Sequence, residues 1–347
     1  MIVEKKFGKL SSGEEVSEII LENKNGIKMS VLTYGATIKN FLIPTNEGEK
    51  DIVLGFNTLK EYEMNVAYFG VVVGRVAGRI GNGCFELDGK RVSLVKNDRF
   101  KNHLHGGIKG LAKTVFDHTM EENDKGSCVK LTYFSKEGED HYPGSIEYSV
   151  IYTLTHDDRV LLEYLAIPSC KTPISLTQHS YFNLNGESAK KTIYNHEFKV
   201  DSREIVELDT LSIPTGKLLN VNGGFFDLNK GVNIGAHFEK FKHSMPITEG
   251  FDHPFVLGKE KTINLRCGES GIGLEVFTTE PIMVCYSGNM LGHQIGKSGY
   301  EYTKHMAICL ETQQYPNAVN IPHFPTTLFS PENPYIQRTE WKIQYNK

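Results

Sequence analysis

IEYSVIYTLTHDDRVLLEYL, residues 146–165, is the stretch that decides the fold. Ile146, Tyr148, Val150, Tyr152 and Leu154 fall at every second position, and after His156-Asp157-Asp158-Arg159 the alternation resumes with Val160, Leu162 and Tyr164. Successive side chains of a strand point to opposite faces, so a period of two marks two strands, each with one buried face, joined by a polar turn. The same pattern recurs on either side. Asn25-Gly26 lies between Ile19-Ile20-Leu21 and Ile27, Met29 and Val31; Asp88-Gly89 lies between Phe85, Leu87 and Val92, Leu94. Both dipeptides supply the positive φ angles that two-residue hairpin turns require. Helical periodicity is nearly absent, and only Thr58 to Met64 has room for two turns. With 33 Gly and 13 Pro spread along the chain, this is an all-β pattern of many short antiparallel strands. It predicts a sandwich or barrel. No repeat, low-complexity tract or Pro/Ser-rich linker divides the sequence, so residues 1–347 are expected to form a single domain.

Composition narrows the function. At 347 residues and 39% hydrophobic content the chain can bury a large core without a disulfide or a structural metal. A net charge of −4, with no Lys/Arg run, argues against nucleic acid and anionic membrane surfaces as partners. MIVEKKFGKL at the N-terminus has no sustained apolar stretch of the kind a secretory signal carries, and no window approaches the ~18 apolar residues of a membrane span. Cys84, Cys128, Cys170, Cys267, Cys285 and Cys309 are scattered without Cys-x-x-Cys spacing, and are expected to be free thiols. A cytoplasmic location is the expectation.

Two segments combine a strand-like run with a proton-handling side chain: TQHSYFNLNG, Thr177 to Gly186, and LETQQYPNAVN, Leu310 to Asn320. Glu311 follows the apolar run Ala307-Ile308-Cys309-Leu310, and a glutamate in a buried strand must be paired or functional, because burying a lone carboxylate is costly. His179 is similarly placed; alone it reads more readily as a structural hydrogen-bonder than as a catalyst. His103-Leu104-His105 places two imidazoles on one side of a strand, yet the next carboxylate is Asp117, too far on to complete a metal site. His103 then reads as a satisfied loop histidine. Gly106-Gly107 reads as a loop whose backbone approaches a ligand, with His105 as a hydrogen-bonder. Arg75 and Arg79 offer forked donors for vicinal hydroxyls or ion pairs for carboxylates, and the residues alone do not choose. Asp252 before His253-Pro254 either caps its own turn or accepts hydrogen bonds from a polyol.

With GRVAGRI (Gly74 to Ile80), NHLHGG (Asn102 to Gly107) and EGFDHPFVL (Glu249 to Leu257), these segments appear in the order and spacing of one family. The chain resembles the aldose 1-epimerases, or galactose mutarotases, from Tyr34-Gly35-Ala36 through FTTEPIMVCYSGN (Phe277 to Asn289) to FSPENPY near the C-terminus. The resemblance implies one large antiparallel β supersandwich and an isomerase that interconverts α and β anomers of free aldoses. It implies Glu311 as general base, His179 as general acid, and Arg79, His105, Asp252 and Tyr181 as sugar contacts. No cofactor and no metal is implied, and the partner is a small-molecule aldose bound by a monomer or weak homodimer. A carboxylate near His179 is expected to help keep that imidazole protonated. Gly78 stands where many relatives have Asn, and Val284 where some have Gln, which bears on the preferred sugar. Three alternatives differ in chemistry: a glycoside hydrolase using Asp252 and Glu311, a non-catalytic sugar-binding sandwich, and a hexose-6-phosphate mutarotase.

Overall fold

The hairpin read from residues 146–165 supplies the third and fourth strands of a nine-stranded antiparallel sheet. Strand Ile146–Thr155 pairs with Arg159–Pro168, Leu154 opposite Val160, and each strand buries alternate residues. The C-terminal strand Tyr335–Gln344 returns to lie between Arg159–Pro168 and Ile272–Thr278. A six-stranded sheet runs in the order Tyr181–Phe182, Ile308–Gln313, Ile282–Tyr286, Asp252–Leu257, Ser202–Leu208, Pro214–Asn220. The first five strands, Ile2–Lys9 to Gly48–Asp51, form a meander in chain order. The computed structural model describes residues 1–346.

Apolar faces of all three sheets meet in one core that draws residues from Ile19 to Ile343. Trp341, the single tryptophan, sits at the junction: it comes from the nine-stranded sheet and packs 6.3 Å from the Phe41 ring of the meander and 5.0 Å from Phe182 of the six-stranded sheet. The antiparallel all-β architecture expected from the alternation is what forms. The six cysteines are all free thiols.

The two turn dipeptides fare differently. Leu87 pairs with Lys90, so Asp88-Gly89 is a true two-residue turn with φ of +49° and +74°. Asn25-Gly26 is not: Glu22 pairs with Lys28, leaving residues 23–27 as the connection, and only Gly26 of the dipeptide has positive φ, at +84°. Asn23 explains the longer loop, since its side-chain oxygen accepts from the backbone N–H groups of Asn25 and Ile27, both at 3.0 Å. The short helix expected near residue 60 is Leu59–Glu63, opened by a capping box between Thr58 and Glu61. A second helix, Ile234–Lys240, begins at Asn233, whose side chain accepts from the Ala236 N–H. Among the described residues no helix is long and apolar enough to cross a membrane.

Trp341 is 1% exposed, so Trp341→Ala should lower unfolding free energy by ~3–5 kcal/mol through the cavity it leaves. Urea denaturation followed by far-UV circular dichroism measures the loss; a change under about 1 kcal/mol would mean that the junction repacks freely.

Candidate active site

Strand Ile308–Gln313 lies second in the six-stranded sheet and every one of its residues is buried. Ile308 and Leu310 enter the main core. Cys309 and Glu311 therefore project from the opposite face, by the strand's period of two. On that face Tyr181 lies opposite Cys309, Val284 opposite Glu311, and Asp252 opposite Tyr286 on the next strand over. These strands floor a cleft of about 250 Å³ lined by Arg79, His105, His179, Tyr181, Asp252 and Glu311, among others. All six site residues expected from the sequence meet in that cleft.

Short pairings bring the remaining side chains in from the rim. Strand Arg79–Ile80 pairs with His103–Leu104, Leu104 opposite Arg79, which sets His105 beside the arginine. The backbone N–H of His179 donates to Val71 at 2.8 Å and its carbonyl accepts from Gly70 at 3.0 Å. The imidazole lies between tyrosines, with Tyr181 stacked at 5.1 Å and Tyr68 at 5.9 Å. The Tyr181 hydroxyl donates to the Ala67 carbonyl at 2.8 Å, so the ring chiefly holds His179. Arg79 combines both readings given above: its Nε donates to Asp98 at 3.2 Å while its side chain lines the cleft.

His179 Nε2 and Glu311 Oε1 are 3.6 Å apart, with 7% and 4% of their side chains exposed. Burial pushes the Glu311 carboxyl up to about 8, reinforced by the negative charge of Asp252 and opposed by Arg79. Burial pulls His179 down to about 4. The expectation that a nearby carboxylate keeps His179 charged is therefore corrected. In this dry site desolvation outweighs it. Between those two values the pair carries one proton as a unit, on Glu311 at rest, and transfer across the gap yields carboxylate and imidazolium without changing the total. Asp252 is raised by burial, against the opposing charges of Arg79 and Arg99.

Donor atoms of His105, His179 and Glu311 all lie within 4.8 Å of one another, the makings of a metal site. The chemistry of His105 does not suit one. Its Nδ1 accepts the Gly78 N–H at 3.2 Å, which puts the ring proton on Nε2, toward the cleft. A ligating histidine does the reverse, presenting a bare nitrogen and donating from the other. His105 is a hydrogen-bond donor.

His103 is fully buried rather than on a loop surface, with Nδ1 at 2.7 Å from the Val95 carbonyl and Nε2 at 2.8 Å from the Tyr142 hydroxyl. Arg75 serves the scaffold, donating to Pro143, Thr172 and Ser135 and stacking over Tyr142. Gly106-Gly107 needs its glycines, but not to approach a ligand. A Cβ on Gly106 would fall 1.7 Å from the Gly74 carbonyl oxygen, and one on Gly107 would fall 2.3 Å from the Asp140 carboxylate. That carboxylate accepts from the N–H groups of Ile108, Lys109 and Gly110, and so pins the loop that follows His105. Sequence reasoning missed Tyr68, Asp98 and Asp140. Tyr68 sits at φ +59°, and the other two act across folds of the chain that no local pattern reveals.

Fold and site define an all-β sandwich whose cleft centres on a buried histidine–glutamate pair. The sequence model of the family described as Aldose 1-epimerase matches residues 17–341. Galactose mutarotase from Sus scrofa is 40% identical over 343 residues, 97% of this chain and 96% of that protein. Galactose mutarotase from Homo sapiens is 38% identical, covering 97% of each chain. The solved structure of an aldose epimerase homologue from C. elegans superposes with a TM-score of 0.87 at 28% identity, over 96% of this chain and 100% of that one. The chain belongs to the aldose 1-epimerase family.

Gly106→Ala should lower stability by ~1 kcal/mol or more, since alanine is strained at φ +85° and its Cβ has no room, and should shift His105 out of register. Urea denaturation and histidine ring resonances in NMR report the two effects. Unchanged values for both would mean that the loop does not set His105.

Proposed function

We propose that the protein is a mutarotase of free aldoses, with Glu311 as general base and His179 as general acid. The observation that carries this reading is the buried pair itself, with His179 Nε2 and Glu311 Oε1 3.6 Å apart in the cleft. Transfer of the proton from Glu311 to His179 Nε2 readies both groups. Glu311 takes the proton of the C1 hydroxyl as His179 protonates the ring oxygen O5, and the C1–O5 bond breaks to give the open-chain aldehyde. Rotation about C1–C2 turns the other carbonyl face to O5. The ring closes as His179 takes a proton from the attacking hydroxyl and Glu311 returns one to the new C1 hydroxyl. Atoms and protons balance over the cycle.

The other cleft residues hold the sugar. His105 donates from Nε2, Asp252 accepts from hydroxyls, and Arg79 donates through the terminal nitrogens that its Asp98 contact leaves aside. Galactose and glucose are the substrates this reading favours, supported by the galactose mutarotases that are 40% and 38% identical. Leu208, Pro254, Val284 and Pro316 give the cleft an apolar wall for the sugar's C–H surface.

Glu311→Gln keeps the shape and removes the base, so kcat should fall ~10²-fold or more while sugar binding persists. Polarimetry of freshly dissolved α-glucose and α-galactose measures it. A variant retaining above about a tenth of wild-type kcat would overturn the assignment.

The cleft also sets a preference over charged sugars. Arg79 is the one lysine or arginine lining it among the described residues, and it is already paired with Asp98, whereas Asp252 and Glu311 are carboxylates. Lys101 and Lys109 are not part of the lining. A phosphate dianion needs several cationic donors or a helix N-terminus. Free aldoses should therefore be preferred over their 6-phosphates by at least about tenfold in kcat/KM, roughly 1.4 kcal/mol. Side-by-side kinetics at fixed ionic strength decide it, and equal turnover of the phosphate would contradict the substrate class.

A further inference from the structure

The two imidazoles of the cleft differ in what holds their inner nitrogen. His105 Nδ1 accepts the Gly78 N–H, so a second ring proton would have to point at that donor. His105 is locked as a neutral donor. His179 Nδ1 instead faces the Cys309 sulfur at 3.6 Å. Cys309 is fully buried, two positions before Glu311 on the same strand face, and lies opposite the Tyr181 whose ring stacks on His179. Burial pushes its thiol well above the usual range, so the sulfur is uncharged.

A ring that exchanges a proton with substrate through Nε2 must keep its other proton on Nδ1 throughout. If the thiol donated to Nδ1, neutral His179 would hold its only proton on Nε2 and have no free nitrogen to receive the Glu311 proton. A carboxylate beside Nδ1 would fix the tautomer, but its charge would also raise the ring's basicity. Neutral sulfur, a weak acceptor, fixes it without that charge.

We propose that Cys309 is a positioning residue for the acid–base step, its sulfur accepting the Nδ1–H of His179 in both charge states so that Nε2 alone gains and loses the proton. The proposal rests on the Glu311–His179 assignment. At rest the proton is on Glu311, across a 3.6 Å gap from Nε2. When that proton crosses, one O–H bond is exchanged for one N–H bond and the Nδ1–H···S contact is unchanged.

Nitrogen-15 NMR of the wild-type histidine rings at neutral pH tests this without any variant. The expected spectrum has the proton of His179 on Nδ1 and that of His105 on Nε2; a His179 proton on Nε2 would overturn the proposal. In kinetics, Cys309→Ala should lower kcat about tenfold with KM nearly unchanged, the scale of an unpaired buried N–H, and Cys309→Ser should recover most of the loss because its hydroxyl also accepts. Full activity in Cys309→Ala beside an inactive His179→Asn removes the role of Cys309 and leaves the pair standing. Full activity in His179→Asn removes the pair, and this proposal with it.

Discussion

Desolvation of one carboxylate is the constraint on which the rest of the site depends. Glu311 is held on a strand whose every residue is buried, and among the described residues no lysine or arginine is bonded to it and only His179 lies within ion-pair reach. A carboxylate in that setting is costly as an anion, and it lowers the cost by keeping its proton. The same burial strips the proton from His179. Two groups that would be oppositely charged in water thus become a neutral pair 3.6 Å apart, poised to become an ion pair when a polar substrate enters. The pKa values of the two groups have been pushed past each other, so the proton rests on Glu311 and crosses to His179 only when substrate stabilises the charged pair.

Such a pair is useful only if it does not move, and the surrounding structure holds it from several directions. The floor comes from paired strands, with Tyr181 opposite Cys309 and Val284 opposite Glu311. The rim comes from loops pinned by carboxylates. Asp140 gathers three backbone N–H groups after His105. Glu187, 3% exposed, accepts from Ser298 and Tyr302, and so fixes the segment beyond Gln294. Partner choice then differentiates the histidines: a backbone N–H makes His105 a permanent donor, while a thiol leaves His179 able to change charge.

Much of this was legible in the sequence, because period-two alternation is a direct imprint of a one-sided strand. Residues 146–165 gave the hairpin and its faces, and the apolar run before Glu311 gave a buried glutamate. The errors share a cause. Asn25-Gly26 has the composition of a tight turn, but the side chain of Asn23 stabilises a longer one. Gly106-Gly107 signals a close approach correctly, yet what approaches is Gly74 and Asp140, distant in sequence. Protonation departs from the expectation because desolvation of both groups outweighs the charge of a neighbour, and its extent is set by tertiary packing. Asp98, Tyr68 and Cys309 act through tertiary contacts, and no local spacing announces them.

The proposed reaction rests on one proton shared by Glu311 and His179. The pH dependence of kcat/KM for mutarotation of a free aldose tests it most directly, since this quantity reports the free enzyme's titrations. Below about 4 His179 takes up a second proton and the base is lost; above about 8 the pair gives up its only proton and the acid is lost. The expected profile is a bell with its limbs near those values, belonging to the pair rather than to either residue. A rate that does not fall on the alkaline side as pH rises two units past about 8 would contradict it.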